Sequence, residues 1–410
     1  MLSRLALILV CHCSLVATDW PRFLGPDGRS RSDASLVQTW SEQQNLQWTT
    51  PLPGPGSSSP VVFGDRIYVT CWTGYGVDSD APADLRYHLL CLDAATGAVQ
   101  WDREQEPLAD TAFYKGFVKD HGFASATPVV DEQAVYTFFE TTGVQAWSHA
   151  GEPLWRTSIG TGSHHWGHGT SPVRWQNLVI VNASIEADAV IAVDAATGNE
   201  IWRTTDVSKS WTTPTVAGEV VLISAKGLVR ALDAATGAER WRAAGIDDYV
   251  CSTIQVMDQV AYAIGSRRGK AVAIRLGGSG DVSESHVLWR CDLGSNVPSP
   301  VYHDGKLFWT HEKKGEVYCV DASTGELLGE QHLKGKKRAA IYATPLINAG
   351  RLILPSRDQG TWVLSADAEM QILAHNVIAG DESRFDASPA VAGDRLLLRS
   401  EQALYAIASP

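Results

Sequence analysis

Apolar residues in this chain come in short runs, rich in Val, Ile, Leu and Tyr, separated by Gly, Asp and Asn and showing no helical period; this pattern predicts many short strands. One stretch sets the pattern. Pro214–Ala217 reads as a strand, Gly218–Glu219 as a tight turn, Val220–Ser224 as a second strand, and Lys226–Gly227 as another turn before a third strand, Leu228–Leu232. Asp233–Gly237 then predicts a hairpin, because an Asp side chain accepts backbone N–H bonds two or three residues on and Gly tolerates the positive φ that closes the turn. The strand carrying Trp241 follows.

The unit recurs. Asp-Ala-Ala-Thr-Gly stands at Asp93, Asp194 and Asp233 and returns as Asp-Ala-Ser-Thr-Gly at Asp321. Trp lies four residues after the Gly at Trp101, Trp202 and Trp241, Trp155 keeps the offset from Gly151, and Trp289 closes a more degenerate copy. A second landmark, Ser/Thr-Pro before an apolar run, stands at Pro60, Pro128, Pro172, Pro214, Pro300, Pro345 and Pro389, with Thr253-Ile254 in the remaining slot. Past Pro128 the spacing stays between 40 and 46 residues, the period of a four-stranded propeller blade. The first interval is longer, which places insertions in blade one at Thr73–Arg86 and Arg103–Gly122.

The count is eight. The last repeat stops after its third strand, Leu404–Ile407, while Leu46–Trp48 reads as an orphan fourth strand, so the two chain ends complete one blade and leave no open edge. The fold class is therefore all-β, an eight-bladed propeller over residues 19–410. Trp48, Trp101, Trp155, Trp202, Trp241 and Trp289 are read as blade-docking rings, each able to bury ~150–250 Å². Blades six and seven lack this Trp, at Gly329 and near Ile372, and are expected to dock less firmly.

Residues 1–18, with Arg4, the apolar run Leu5–Val10 and a small-residue cleavage region, read as a signal peptide, which predicts an exported, periplasmic or extracellular protein. No apolar run reaches the length of a membrane span, and Val10 before Cys11 argues against a lipid anchor. The net charge of −12 argues against nucleic acid as a partner. The five further cysteines, Cys71, Cys91, Cys251, Cys291 and Cys319, show no metal or redox spacing and read as buried apolar residues, a Cys71–Cys91 disulfide being the alternative.

Ser59–Val69, the Leu-Asp-Ala-Ala-Thr-Gly-x-x-x-Trp segments and the eightfold count together resemble the pyrroloquinoline-quinone-repeat (quinoprotein-like) propellers, a family that includes the outer membrane assembly factor BamB group. The opening Asp19-Trp-Pro-Arg-Phe-Leu-Gly-Pro-Asp27 is similar to that of secreted members from planctomycete-type bacteria. The resemblance implies protein contacts made by loops at one end of the ring, as in BamB-like members, or a quinone with calcium, as in the alcohol and sugar dehydrogenases. The sequence has no adjacent cysteine pair and no calcium loop of recognisable spacing, so neither a cofactor nor a metal is expected, and pyrroloquinoline quinone with calcium is the alternative.

Just before the Ser/Thr-Pro landmarks, where the innermost strands begin, His121, His168, Trp211, Tyr249, Asn296, Tyr342 and Asp386 are expected to ring one mouth of the channel, with His164 beside them. Three readings follow. The first is a non-catalytic scaffold for a protein partner, with the blade-one aromatics Trp72, Tyr75, Phe113, Tyr114 and Phe117 as its surface. The second is a quinone-dependent oxidoreductase. The third is a metal-assisted enzyme in which His164, His168 and Asp386 ligate zinc or exchange protons. A small molecule at the mouth is a further class of ligand. Lys313-Lys314 and Lys334–Arg338 are basic spots assigned to loops of blade six, and Gly277–Gly280 is a connector.

Overall fold

The computed structural model describes residues 19–108, 110–266 and 268–410; the signal-peptide reading falls outside them. Eight four-stranded antiparallel sheets form a ring, their innermost strands side by side around a central channel. Blades one to seven follow in chain order from Val61 to Asn376, and blade eight pairs Ala390–Ile407 with Leu46–Pro51 as its outer strand. Two sheets gain an extra two-residue strand, Arg31–Ser32 in blade seven and Gly280–Asp281 in blade four. Among the described residues no helix is long and apolar enough to cross a membrane.

The repeated hairpin forms for the reason its residues predict. Asp93 Oδ1 accepts the Ala95 and Thr96 N–H groups and the Thr96 hydroxyl, and Gly97 takes φ 73° to close the turn. Asp194, Asp233 and Asp321 repeat this. A bulge precedes the Trp after the hairpins at Asp93, Asp194 and Asp233 and after the longer connection of blade five, at the pairs Cys91–Trp101, Ala192–Trp202, Ala231–Trp241 and Ala273–Trp289, and a bulge re-aims the side chain that follows it.

Those rings dock on the next blade's hairpin. Trp155, Trp202 and Trp289 donate Nε1–H to the carbonyls of Ala195, Ala234 and Ala322 at 2.9–3.0 Å. Trp101 donates to His149 O. The ring face lies so near the hairpin glycine that a Cβ on Gly198 or Gly237 would fall 2.4 or 2.5 Å from the Trp155 or Trp202 ring. Two residues past the Trp, the hydroxyls of Thr50, Thr157 and Thr204 each donate to the carbonyl of that same glycine at 2.6 Å. Trp241, buried, meets no such hairpin and packs instead with Val282. Where blade six lacks the Trp, the chain comes closer: a Cβ on Gly329 would sit 1.9 Å from Ala368 O. Beside blade seven, Trp40 from the N-terminal segment is buried, its N–H donated to Asn376 Oδ1. The expected looseness at Gly329 is thus met by closer backbone approach, and blade seven is covered by a ring from another part of the chain.

A second ladder runs around the channel. At six of the eight Ser/Thr landmarks the N–H donates to the hydroxyl of the counterpart one blade on: Ser59 to Thr127, Thr127 to Ser171, Ser171 to Thr213, Thr253 to Ser299, Ser299 to Thr344, and Thr344 to Ser388, all at 2.9–3.0 Å. The landmark is an inter-blade hydrogen-bond belt as well as a strand start. Ser171→Ala orphans the buried Thr127 N–H and is expected to cost about 1–3 kcal/mol in denaturant unfolding.

Cys71 and Cys91 are free, so the alternative of a disulfide fails. They stand on adjacent strands but pair with His88 and Tyr68, and their side chains enter different cores, toward blade eight and toward blade two. Lys334 and Arg338 form the bridge of a small exposed hairpin that carries the basic spot of blade six.

Candidate functional site

Residues 20–32 run along one end of the channel. Trp20 bridges Val62 of blade one, Pro21 O accepts from Val130 of blade two, and Ser30 O accepts from Ile347 of blade seven, so residues 20–32 cross beneath the inner strands. Trp20 folds onto Gly25, which takes φ 81° and leaves room for the ring by having no Cβ, since one there would lie 2.9 Å from it. Phe23 reaches the cavity above. The cavity has a volume of about 640 Å³.

Its wall follows a simple rule. The residue two before each landmark hydroxyl lines the cavity in all eight blades: Ser57, Ser125, Gly169, Trp211, Cys251, Val297, Tyr342 and Asp386. An extended chain alternates sides every residue, so positions at even offsets share a face. His168 stands three before Ser171 and turns away.

Of the expected mouth residues, His121, Trp211, Tyr249, Asn296, Tyr342 and Asp386 line the cavity, whereas His164 and His168 do not. His168 is buried behind the wall, its Nδ1 2.7 Å from Glu186 Oε1, with Phe138 edge-on to its ring. His164 packs on Trp166 and Trp211. The zinc set of His164, His168 and Asp386 is therefore not assembled. Among the described residues only Glu316, Glu330 and His332, on the outer part of blade six, bring three such groups within 4.8 Å of one another. Asn296 keeps an edge on the cavity because the chain bends at residues 296–298. The sequence reading does not find Phe23, Trp166 and Cys251, and assigns Phe117 to the blade-one surface without bringing it to the cavity; the even offset is the signal for Cys251.

One wall is aromatic. Trp166 packs against Trp211 and Tyr249 with ring centroids at 5.0 and 4.4 Å, and Phe117 meets it edge-on at 5.5 Å. The opposite wall is polar. Arg357 lies 4.1 Å above the Tyr342 ring, makes a two-pronged contact with Asp386 at 2.8 and 3.0 Å, and donates to Asp120 O. His311, Glu312, Lys313 and Lys314 continue this side to the rim. The blade-one insertion spans the two walls: Phe117 touches Trp166, while Asp120 O and Lys119 O are held by Arg357 and Arg384 from across the mouth. Trp72, Tyr75 and Tyr114 of that insertion pack inward with Phe123, leaving Phe113 and Phe117 exposed at 66% and 45%.

The titratable groups are engaged. His121 is bonded at both nitrogens, to Ser125 Oγ and Trp166 O at 2.6 Å, and burial lowers its pKa. Burial pushes the Cys251 thiol up to about 12, far from a thiolate. Burial raises the Asp386 carboxyl to about 6 against the opposing pull of Arg357. His121 is thus held by two hydrogen bonds, Asp386 by Arg357, and Cys251 as a buried thiol.

The family described as outer membrane protein assembly factor BamB matches residues 131–285 and 280–408. No curated protein matches the sequence. Among solved structures, BamB from Moraxella catarrhalis superposes with a TM-score of 0.66 at 15% identity, over 88% of this chain and 97% of that one. The quinohemoprotein alcohol dehydrogenase from Comamonas testosteroni gives 0.61 at 11% identity, over 96% and 81%. A europium-containing methanol dehydrogenase gives 0.63 at 10%, over 94% and 89%. At these identities the likeness is one of fold.

Proposed function

The chain belongs to the BamB family of propellers, and from that premise we propose that it is a non-catalytic, exported binding scaffold whose mouth loops hold a protein partner. The observation that carries this reading is that His121 and Asp386 are tied up in bonds to their neighbours and Cys251 is held as a thiol by burial, beside exposed apolar side chains at Phe113 and Phe117. Loops on a rigid scaffold are the usual seat of recognition, and exposed aromatics beside a concave site suit a buried anchor from a partner.

A quinone cofactor is the less supported alternative: the guanidinium of Arg357 is committed to Asp386, which leaves Lys313 and Lys314 as the cavity's further cations for its carboxylates. Cys251 stands alone, with no neighbouring cysteine in the sequence. The test is titration of the purified mature protein with pyrroloquinoline quinone and calcium, followed by absorbance and dye reduction with alcohols or sugars. No saturable quinone spectrum and no reduction is the expected result; saturable binding with turnover makes the protein an oxidoreductase.

A further inference from the structure

Charge is unevenly spread over the mouth face. Two loops of blade six meet there: residues 311–315, the turn after its second strand, and residues 334–338, the small hairpin that leads from its fourth strand toward blade seven. Between them they expose Lys313, Lys314, Lys334, Lys336, Lys337 and Arg338, while their one carboxylate, Glu312, is buried, accepting the Asn296 N–H and lying 3.3 Å from His311. Lys314 pairs with Glu316 at 3.5 Å and Lys337 with Asp358 at 2.6 Å. Among the described residues no carboxylate lies within 4.0 Å of Lys313, Lys334, Lys336 or Arg338, so the patch keeps its positive charge on a chain of net charge −12.

These cations stand on a fixed base. The Leu333 N–H donates to Gly315 O at 2.6 Å and the Ile341 N–H to Glu312 O at 3.0 Å, and a Cβ on Gly315 would fall 2.6 Å from Leu333 O, so the two loops share a backbone seam. Leu333 and Ala339, which flank the hairpin, are buried, and Gln359 Oε1 accepts the Lys337 N–H at 3.3 Å. Like charges held close together repel, and an opposite charge laid across them removes that cost.

Lys313 and Lys314 also line the mouth cavity, whose other side is the aromatic wall of Trp166, Trp211 and Tyr249. The cavity therefore offers rings on one side and ammonium groups on the other, continuous with the basic hairpin. A chain that satisfies both carries an apolar side chain next to carboxylates. An anionic membrane is the poorer match, because the protein as a whole is acidic and these rings line a concave site, whereas a membrane contact needs apolar groups that protrude.

We propose that the mouth takes an acidic segment of a protein, its carboxylates lying on the blade-six loops and a neighbouring apolar residue entering the cavity against Trp166 and Trp211. The inference rests on the scaffold reading and gives its partner a chemistry.

The test uses the full mature chain and a fluorescein-labelled hexaglutamate–tryptophan peptide, followed by anisotropy. Saturable binding is expected, weakening about tenfold between about 50 and about 500 mM sodium chloride. Replacing every glutamate by glutamine, or the tryptophan by glycine, should each weaken it about fivefold or more. Lys313→Glu combined with Lys336→Glu should lower the affinity about tenfold, whereas Lys209→Glu combined with Lys226→Glu, the same charge change at exposed sites on the loops of blades three and four, should leave it within about twofold. Equal losses from the two pairs would mean that net charge and not the patch governs binding, and would overturn the proposal; so would a wild type that does not bind the glutamate peptide, or one that sediments with phosphatidylglycerol vesicles and ignores the peptide. The scaffold reading is tested apart from this: it stands if photo-crosslinkers at Phe113 and Phe117 capture a partner while the glutamate peptide does not bind, and it falls if they capture none.

Discussion

A chain that begins at Pro53 is expected not to fold. It lacks Leu46–Pro51, the outer strand of blade eight, whose pairing with Ala403–Ile407 is the only sheet that joins the two ends of the described chain into one blade. It also lacks residues 20–32 and four buried apolar side chains, Trp20, Leu24, Leu36 and Trp40, three of which belong to the largest apolar cluster, shared by blades one, seven and eight. At ~25 cal/mol per Å² the apolar area of these residues alone is worth several kcal/mol, a large part of a typical total stability of about 5–15 kcal/mol. An exposed Ala403–Ile407 edge is in addition a template for aggregation. Circular dichroism and size exclusion of the refolded truncation check this. A soluble monomer that unfolds cooperatively near the wild-type midpoint would show that the ring closes without its N-terminal strand.

Trp202→Ala is expected to cost about 3–5 kcal/mol, the range for removing a large buried ring. The ring is 7% exposed, donates to Ala234 O at 3.0 Å and covers Gly237. Gly237→Ala attacks the same joint from the other side, since its φ of 72° disfavours a side chain and the added Cβ would fall 2.5 Å from the Trp202 ring. Because both changes act on one contact, their combined cost in denaturant unfolding should fall short of the sum of the two. Full additivity would mean that ring and glycine do not form a unit.

The repeat was legible in the sequence because its chemistry is local. Asp93, Asp194, Asp233 and Asp321 satisfy their hairpins within three residues, and Leu46–Trp48 could be recognised as a fourth strand from its Trp alone. What each Trp touches was not legible, because the partner glycine and carbonyl lie a whole blade away. The hydroxyl belt was hidden in the same manner: Ser/Thr-Pro reads as a turn signal, and only the ring shows that the hydroxyl belongs to the preceding blade. At the mouth, closeness to the landmark does not suffice: Trp211, Tyr342 and Asp386 have the even offset and line the cavity, whereas His168, three before Ser171, does not. Phe23 and Phe117 come from segments outside the repeat, where periodicity carries no information.

The most direct test of the partner-binding account is photo-crosslinking in exporting cells, with benzoylphenylalanine placed at Phe113 or Phe117 on the mouth lip, or at Leu154 or Ile201, which are similarly exposed on outer strands. The account predicts one discrete protein adduct common to the two lip positions and missing from the two outer ones. An adduct from the outer positions alone, or none from the lip, would contradict it.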